Sequence, residues 1–268
     1  MKLIFIDIDG TLLDSDNNIT DKTRDSLIKA QEEGHTVVIS SGRDPNGIRP
    51  YAEILKLEKY GGLVSAFNGG MIINQKTKEV LIDHRLDLDL AKEILSFAKN
   101  LDADYLIYEK DLILTNSEDA YNLKETAERV NMDYKVIGDL DQSLDFPPHK
   151  ILFTNDPRYI EKDGKKLEEK FGDLTDQVKS TPCFYEIMPK GIDKGRSLVE
   201  IGSYMDFDIK DTLAFGDEEN DLAMIKNAGT GVVMGNARKE IQEIADYVTK
   251  SNDDDGIAFY LEEFILNK

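Results

Sequence analysis

The chain opens on four apolar residues, Leu3-Ile4-Phe5-Ile6, that run straight into Asp7-Ile8-Asp9-Gly10-Thr11. An unbroken apolar run of this length predicts a strand buried on both faces, here one that ends in charge. Side chains two apart on an extended chain share a face, so Asp7 and Asp9 are expected to leave the backbone on one side. Thr20 can cap a helix that runs to about 33, with Gly34 as its stop. Residues 36–39 and 62–67 read as second and third strands, with a helix over about 47–56 between them. Asn68-Gly69 reads as a tight turn into a hairpin strand over 71–74. Strand alternating with helix predicts parallel crossover units and an α/β arrangement.

From about residue 84 the pattern changes. Leu88, Ala91, Leu95 and Ala98 recur at helical spacing, predicting a helix over 87–101. Two strands over 105–109 and 112–115 follow, then a helix over 118–130, a loop with Pro147-Pro148 and a strand over 150–154. Pro157 can open a helix toward 171. Strands over 178–181 and 184–188 complete a stretch of hairpins mixed with helices, the pattern of an α+β module with an antiparallel sheet. Beyond it the first rhythm resumes. Helices are expected over 194–205, 221–227, 237–245 and 257–266, and strands over 212–215, 231–234 and 247–249. The simplest partition is one α/β domain made of residues 1–83 and 189–268, with residues 84–188 inserted as a second domain.

Composition narrows the class. The 268 residues are 40% hydrophobic and 32% charged, an ordinary globular balance. There are 53 acidic against 33 basic residues, a net charge of −20, which disfavours nucleic acid and anionic membrane as partners. An anionic substrate would therefore need a local cationic site. A single cysteine, Cys183, excludes an intrachain disulfide framework and fits a reducing compartment. The apolar run after Lys2 is too short for a signal peptide, and no apolar stretch nears the roughly 20 residues of a membrane helix. A cytoplasmic protein is expected.

In open α/β sheets, ligands bind at the carboxyl ends of the parallel strands. Three strands here end in polar clusters: Asp7-Ile8-Asp9-Gly10-Thr11, Ser40-Ser41-Gly42-Arg43 and Gly216-Asp217-Glu218-Glu219-Asn220-Asp221. Lys194 stands at a helix start. Carboxylates with a lysine, a hydroxyl and an amide form a coherent set for Mg²⁺ and a phosphate, since Mg²⁺ takes oxygen ligands and a helix N-terminus favours an anion.

Asp7-x-Asp9-Gly10-Thr11-Leu12, Ser41-Gly42-Arg43, Lys194-Gly195 and Gly216-Asp217-x-x-Asn220-Asp221 resemble, in order, the four motifs of the haloacid dehalogenase superfamily. The insert is similar to the large cap of the Cof-type (IIB) branch, and Asp255-Gly256-Ile257-Ala258 to a segment near that branch's C-terminus. Asp44 and Gly70 depart from residues common in the branch, at positions outside the catalytic set. The resemblance implies a Rossmann-like parallel sheet core with an inserted α+β cap of the C2B type. It implies a Mg²⁺-dependent phosphatase acting on small phosphorylated metabolites, mainly sugar phosphates. Asp7 would be the nucleophile that forms an aspartyl phosphate, and Asp9 the general acid and base, its proton affinity raised by nearness to Asp7. Ser41, Gly42, Lys194 and Asn220 would form the phosphate site, with Asn220 orienting phosphate or Lys194. Asp7, the backbone carbonyl of Asp9, Asp217 and Asp221, directly or through water, would hold the metal.

Other readings stand beside this one. A phosphomutase or phosphotransferase would use the same aspartyl phosphate, and a non-catalytic phosphate-binding or signalling domain would share the aspartate, lysine and metal. Taken alone, Asp7-x-Asp9 is more often a solvated strand end, and Lys194 a surface lysine. Arg43 is expected to brace its loop, and Glu218 and Glu219 to be solvated. His35, His84 and His149 are scattered without partner spacing, and Cys183 reads as a small apolar residue of a cap strand. Ser251-Asn252-Asp253-Asp254-Asp255-Gly256 approximates a calcium loop, but serine stands first and no helix is expected to enter it. A turn capping the last helix is the better reading. Nothing in the sequence gives the oligomeric state.

Overall fold

The computed structural model describes residues 1–266. The chain folds into two compact units, residues 1–83 with the tail from 193, and residues 84–192. The first segment runs β1 (Leu3–Ile6), α1 (Asp21–Glu32), β2 (Thr36–Ser40), α2 (Pro45–Ile54), α3 (Leu57–Tyr60), β3 (Leu63–Ala66), β4 (Met71–Asn74) and β5 (Val80–Asp83). The inserted segment adds α4 (Leu88–Ala98), β6 (Asp104–Glu109), β7 (Leu112–Thr115), α5 (Leu123–Val130), β8 (Asp133–Val136), α6 (Leu140–Ser143), β9 (Ile151–Thr154), α7 (Ile160–Phe171), β10 (Thr175–Thr181) and β11 (Phe184–Pro189). The tail supplies α8 (Lys194–Tyr204), β12 (Thr212–Gly216), α9 (Leu222–Asn227), β13 (Thr230–Val233), α10 (Lys239–Gln242), β14 (Tyr247–Val248) and α11 (Gly256–Phe264).

The first unit is built on one sheet of order β14-β13-β12-β1-β2-β3-β4-β5. Its strands are parallel from β14 to β3, and the antiparallel β4 and β5 form one edge. This is the α/β core that the alternation predicts. Every residue of β1 is buried because helices cover both faces. On one side, Leu3, Phe5, Val38 and Ala214 pack with Leu198, Ile201 and Met224 of α8 and α9. On the other, Phe215 meets Tyr260 of α11 edge to face at 5.5 Å, and α11 packs on α1.

The inserted unit carries a sheet of order β10-β11-β9-β6-β7-β8, antiparallel except for the β7–β8 pair. Ile107, Phe153 and Ile187 pack with Ile94, Leu95 and Leu167 on one face, and Leu106, Ile113 and Leu152 with Leu123, Ala127 and Val130 on the other. Cys183 lies buried in that second cluster.

Several boundaries differ from expectation for local reasons. The second junction falls after 192 rather than 188, because β11 extends to Pro189 and Lys190 and Gly191 bond back to Gly172 and Asp176. The expected core segment 189–268 also includes residues 267 and 268, which lie outside the described residues. α5 begins at Leu123 instead of 118, after Asn122 turns into the left-handed region (φ 56°). α7 begins at Ile160, not at Pro157, and α10 spans only four residues of the expected 237–245. β5 and β8 are strands beyond those expected: both are edge strands with half-exposed or exposed residues, β8 carries no apolar run, and the run of β5 is only the three residues Val80-Leu81-Ile82. No helix among the described residues is long and apolar enough to cross a membrane.

Candidate active site

The polar residues that end β1, β2 and β12 converge at the carboxyl edge of the parallel sheet, where crossover topology leaves room for a ligand. Asp7 extends β1 by one residue, its N–H donating to Phe215 O at 3.1 Å, and its carboxylate is buried. Lys194 is the first residue of α8. Asp193 caps that helix by accepting from Arg196 N at 2.7 Å, and Gly195 lets α8 lie against the backbone of Ala223, where a Cβ would stand 2.6 Å from the carbonyl. Close packing thereby carries the Lys194 side chain inward until none of it meets solvent.

Inside, the Lys194 ammonium donates to Asp7 Oδ1 at 2.5 Å and to Asp221 Oδ1 at 2.7 Å. Two of its three hydrogens are thus committed and one is left. The other Asp221 oxygen accepts from the N–H groups of Asp217 and Glu218, which folds the loop after β12 back on itself. Asp217 Oδ1 accepts from the Thr11 hydroxyl at 2.6 Å. Asp7, Asp217 and Asp221 are all buried, and each offers an oxygen within 4.8 Å of the others.

Three buried carboxylates face one ammonium, and two of them, Asp7 and Asp217, have raised proton affinities. Burial, helped by the Asp221 charge and opposed by Lys194, pushes the Asp7 carboxyl up to about 8. Burial likewise raises Asp217 to about 7, although the Thr11 hydroxyl works the other way. Lys194 moves up as well: burial disfavours its charge, but Asp221 and Asp7 together outweigh that cost. An all-oxygen donor set with excess negative charge, held out of water, fits a hard divalent cation. Gly10 completes the fit. Its φ of 79° turns the chain over Asp217, and a Cβ there would collide with that carboxylate.

Asp9 is placed differently from the expectation. The extended conformation stops at Asp7, and residues 8–12 form a wide turn closed by Leu12 N to Asp7 O and Leu13 N to Ile8 O. The two aspartates therefore do not share a strand face. The Asp9 side chain is 58% exposed, and both its oxygens are held by Arg43, Nη2 to Oδ1 at 2.5 Å and Nε to Oδ2 at 3.0 Å. Arg43 also bonds the Tyr51 hydroxyl and lies over that ring. It braces Asp9 as well as its own loop, a pairing that no spacing along the chain reveals.

Ser41 is buried, its Oγ accepting from Arg43 N at 3.2 Å with its own proton left to donate. Gly42 lies against the Asn68 amide. The expected tight turn at Asn68-Gly69 is a short 3₁₀ turn over Phe67–Gly69, and all three residues have positive φ. Phe67 N bonds Arg43 O and Asn68 N bonds Ser41 O, while Gly69 packs on Asp193 and Ser197. This wedge joins the Ser41 loop to the start of α8. Asn220 is exposed and makes no side-chain hydrogen bond among the described residues. Lys194 is oriented by Asp221 instead, because Asp221 enters α9 with its carboxylate turned inward. Glu218 and Glu219 are exposed and pair with Arg238.

Comparison with known proteins decides the family. The model of the haloacid dehalogenase-like hydrolases matches residues 4–261. The chain belongs to that family. It is a phosphatase of the Cof-type branch, as its four motifs suggest. The 5-amino-6-(5-phospho-D-ribitylamino)uracil phosphatase YcsE of Bacillus subtilis is 32% identical, the match covering 99% of this chain and 96% of that one. A haloacid dehalogenase-like hydrolase from Bacteroides thetaiotaomicron is 33% identical over 98% of this chain and 99% of that one, with a TM-score of 0.92. The subclass IIB sugar phosphatase BT4131, 22% identical over 99% of this chain and all of that one, shares the fold at a TM-score of 0.83.

Proposed function

We propose that this phosphatase is Mg²⁺-dependent and hydrolyses small phosphate monoesters, sugar phosphates foremost, through an aspartyl phosphate on Asp7. The observation that carries the reading is the buried Lys194 held by Asp7 and Asp221 beside Asp217, with Asp9 exposed two residues from Asp7. Asp7 and Asp217, with the backbone carbonyl of Asp9, would hold the metal. Both oxygens of Asp221 are already engaged, so its part is to orient Lys194 and the loop after β12. When bound, Mg²⁺ supplies positive charge that lets a carboxylate approach an anionic phosphate.

The residues divide the chemistry. An Asp7 oxygen attacks phosphorus, the bond from phosphorus to the ester oxygen breaks, and Asp9 gives its proton to the departing alkoxide. Asp9 then takes a proton from the water that attacks the aspartyl phosphate, releasing phosphate and freeing Asp7. For the first step Asp9 must be protonated, so Arg43 must loosen its grip as substrate binds. The remaining Lys194 hydrogen, the Ser41 hydroxyl and Asn220 are the donors available to the equatorial oxygens, where charge spreads in the transition state. The inserted unit serves as the cap that selects the organic part of the substrate. The substrate named for the Bacillus subtilis relative is a phosphate ester of a sugar alcohol joined to a pyrimidine, so it belongs in the same chemical class.

The test is a panel of phosphorylated metabolites that includes sugar phosphates and that ribityl phosphate, with p-nitrophenyl phosphate as a generic substrate. Released phosphate that EDTA stops, Mg²⁺ restores and Asp7→Asn abolishes is the expected result. Isomerised sugar phosphate without free phosphate would show a mutase. Undiminished release by Asp7→Asn would overturn the assignment.

A further inference from the structure

The turn that carries Asp9 and Gly10 is an irregular piece of backbone. Asp9 (φ −80°, ψ 116°) and Gly10 (φ 79°, ψ −3°) depart from helical geometry, and short-range bonds close the turn only at Leu12 and Leu13. What fixes its middle comes from over two hundred residues away. Asn236 Nδ2 donates to Gly10 O at 2.8 Å. Asn236 Oδ1 accepts from Asn252 N at 3.1 Å, and Asn252 Nδ2 donates to Leu13 O at 2.8 Å. The orientation of the Asn236 amide is chemically determined, since only its NH₂ can serve a carbonyl and only its oxygen can serve an N–H.

Asn236 is itself held firmly. Met234 N bonds Gly216 O at the end of β12, and Gly235 N bonds Lys250 O at 3.0 Å. At Gly235 a Cβ would stand 2.9 Å from the backbone of 249–251, so only glycine brings the two segments this close. The segment after β13 thus reaches the turn from a strand end that is anchored in the sheet.

We infer that Asn236, supported by Asn252, is a positioning residue that sets the plane of the Gly10–Thr11 peptide and with it the placement of Asp9 and Thr11. A trans peptide is planar, so fixing the Gly10 carbonyl fixes the direction of the Thr11 N–H on its opposite side. It also fixes the start of Thr11, whose hydroxyl bonds Asp217. On the other side of Gly10, the Asp9 carbonyl is the backbone oxygen assigned to the metal. A glycine at this point has more freedom than any other residue, so an external bond is what confines it. This inference rests on the phosphatase reading for its kinetic consequence, but not for its structural one.

Asn236→Asp is the informative variant. It is nearly isosteric and keeps an oxygen for Asn252 N, yet turns the donor that faces Gly10 O into an acceptor. Two readouts are taken on the full chain. Hydrogen–deuterium exchange of peptides covering 8–13 is expected to quicken, with no change in peptides from β2 or β13. Turnover of p-nitrophenyl phosphate is expected to show a roughly ten-fold or larger fall in kcat with KM within about two-fold, because a misplaced group costs rate more than binding. Asn252→Asp, which loses only the bond to Leu13 O, should show the same pattern more weakly, and serves alone if Asn236→Asp does not fold. Unchanged exchange in 8–13, or a kcat within about two-fold of wild type, would overturn the inference. A wild-type protein that releases no phosphate would sink the proposed function while leaving the exchange measurement decisive for the turn.

Discussion

Two acidic clusters in this chain look alike on paper and behave as opposites in space. Asp7, Asp217 and Asp221 are brought together from distant segments, buried, and given one ammonium among three carboxylates. Asp253, Asp254 and Asp255 are consecutive, lie at the surface, and each has neutral donors. Ser15 gives Asp253 both its N–H and its hydroxyl, the Ser251 hydroxyl serves Asp254, and the Thr20 hydroxyl serves Asp255. The two Ser15 bonds hold the Asp253 carboxyl below its ordinary range, the Ser15 N–H contributing most. Sequence density of carboxylates is thus no guide to cation demand. What matters is whether burial outruns the donors.

The comparison breaks most visibly at the buried cluster. Asp7→Asn should lower phosphatase activity by ~10³-fold or more, since in the proposed mechanism it removes the nucleophile rather than a contributor to binding. Asp253→Asn should leave turnover within about two-fold in the same assay. A comparable loss in both variants would erase the distinction.

Metal binding separates the clusters next. At about 100-fold excess over its dissociation constant, Mg²⁺ should stabilise the protein by about 2.7 kcal/mol, which corresponds to a Tm rise of roughly 5–10 °C. Thermal melts of Asp217→Asn should lose that rise, whereas those of Asp253→Asn should keep it.

The pH dependence has a definite sign. Asp7 and Asp217 are raised to about 8 and about 7 from an ordinary 3.8, so without metal the folded chain holds more protons than the unfolded chain between those limits. Stability of the metal-free protein should therefore fall as pH rises from about 4 to about 8. Mg²⁺ competes with the same protons, so its stabilising effect should grow across that window. Melting curves with EDTA and with Mg²⁺ at several pH values would show the two trends, and parallel curves would contradict them.

The smallest effect belongs to the surface. Thr20 caps α1 by accepting from Thr23 N and also donates to Asp255, so Thr20→Ala should cost about 1 kcal/mol with kcat unchanged. A chemical denaturation curve would measure it.

The contrast also explains what could be read from residues alone. Apolar runs gave the parallel strands and their polar ends, so the convergence of Asp7, Ser41 and Asp217 on one edge was legible. The four motifs supplied Lys194 and Asp221. The Asp9–Arg43 pair was not legible, because alternation along a strand says nothing once the backbone turns at residue 8. Nor was the contact of Asn236 with Gly10, which depends on two loops meeting across 226 positions. By its sequence, the stretch 251–256 reads as a turn capping the last helix. In the structure Ser251 caps the short 3₁₀ turn over Asn252–Asp254, and Asp255, in the left-handed region, makes no side-chain cap to α11.

The central claim is that Asp7 carries the phosphoryl group while the carboxyl of Asp9 moves protons. Asp9→Asn should let the aspartyl phosphate form from an activated ester such as p-nitrophenyl phosphate and then slow its hydrolysis. After acid quenching, peptide mass spectrometry should find one phosphoryl group on Asp7, which borohydride reduces to homoserine. A phosphoryl group on any other residue, or turnover with none on Asp7 under these conditions, would contradict the account.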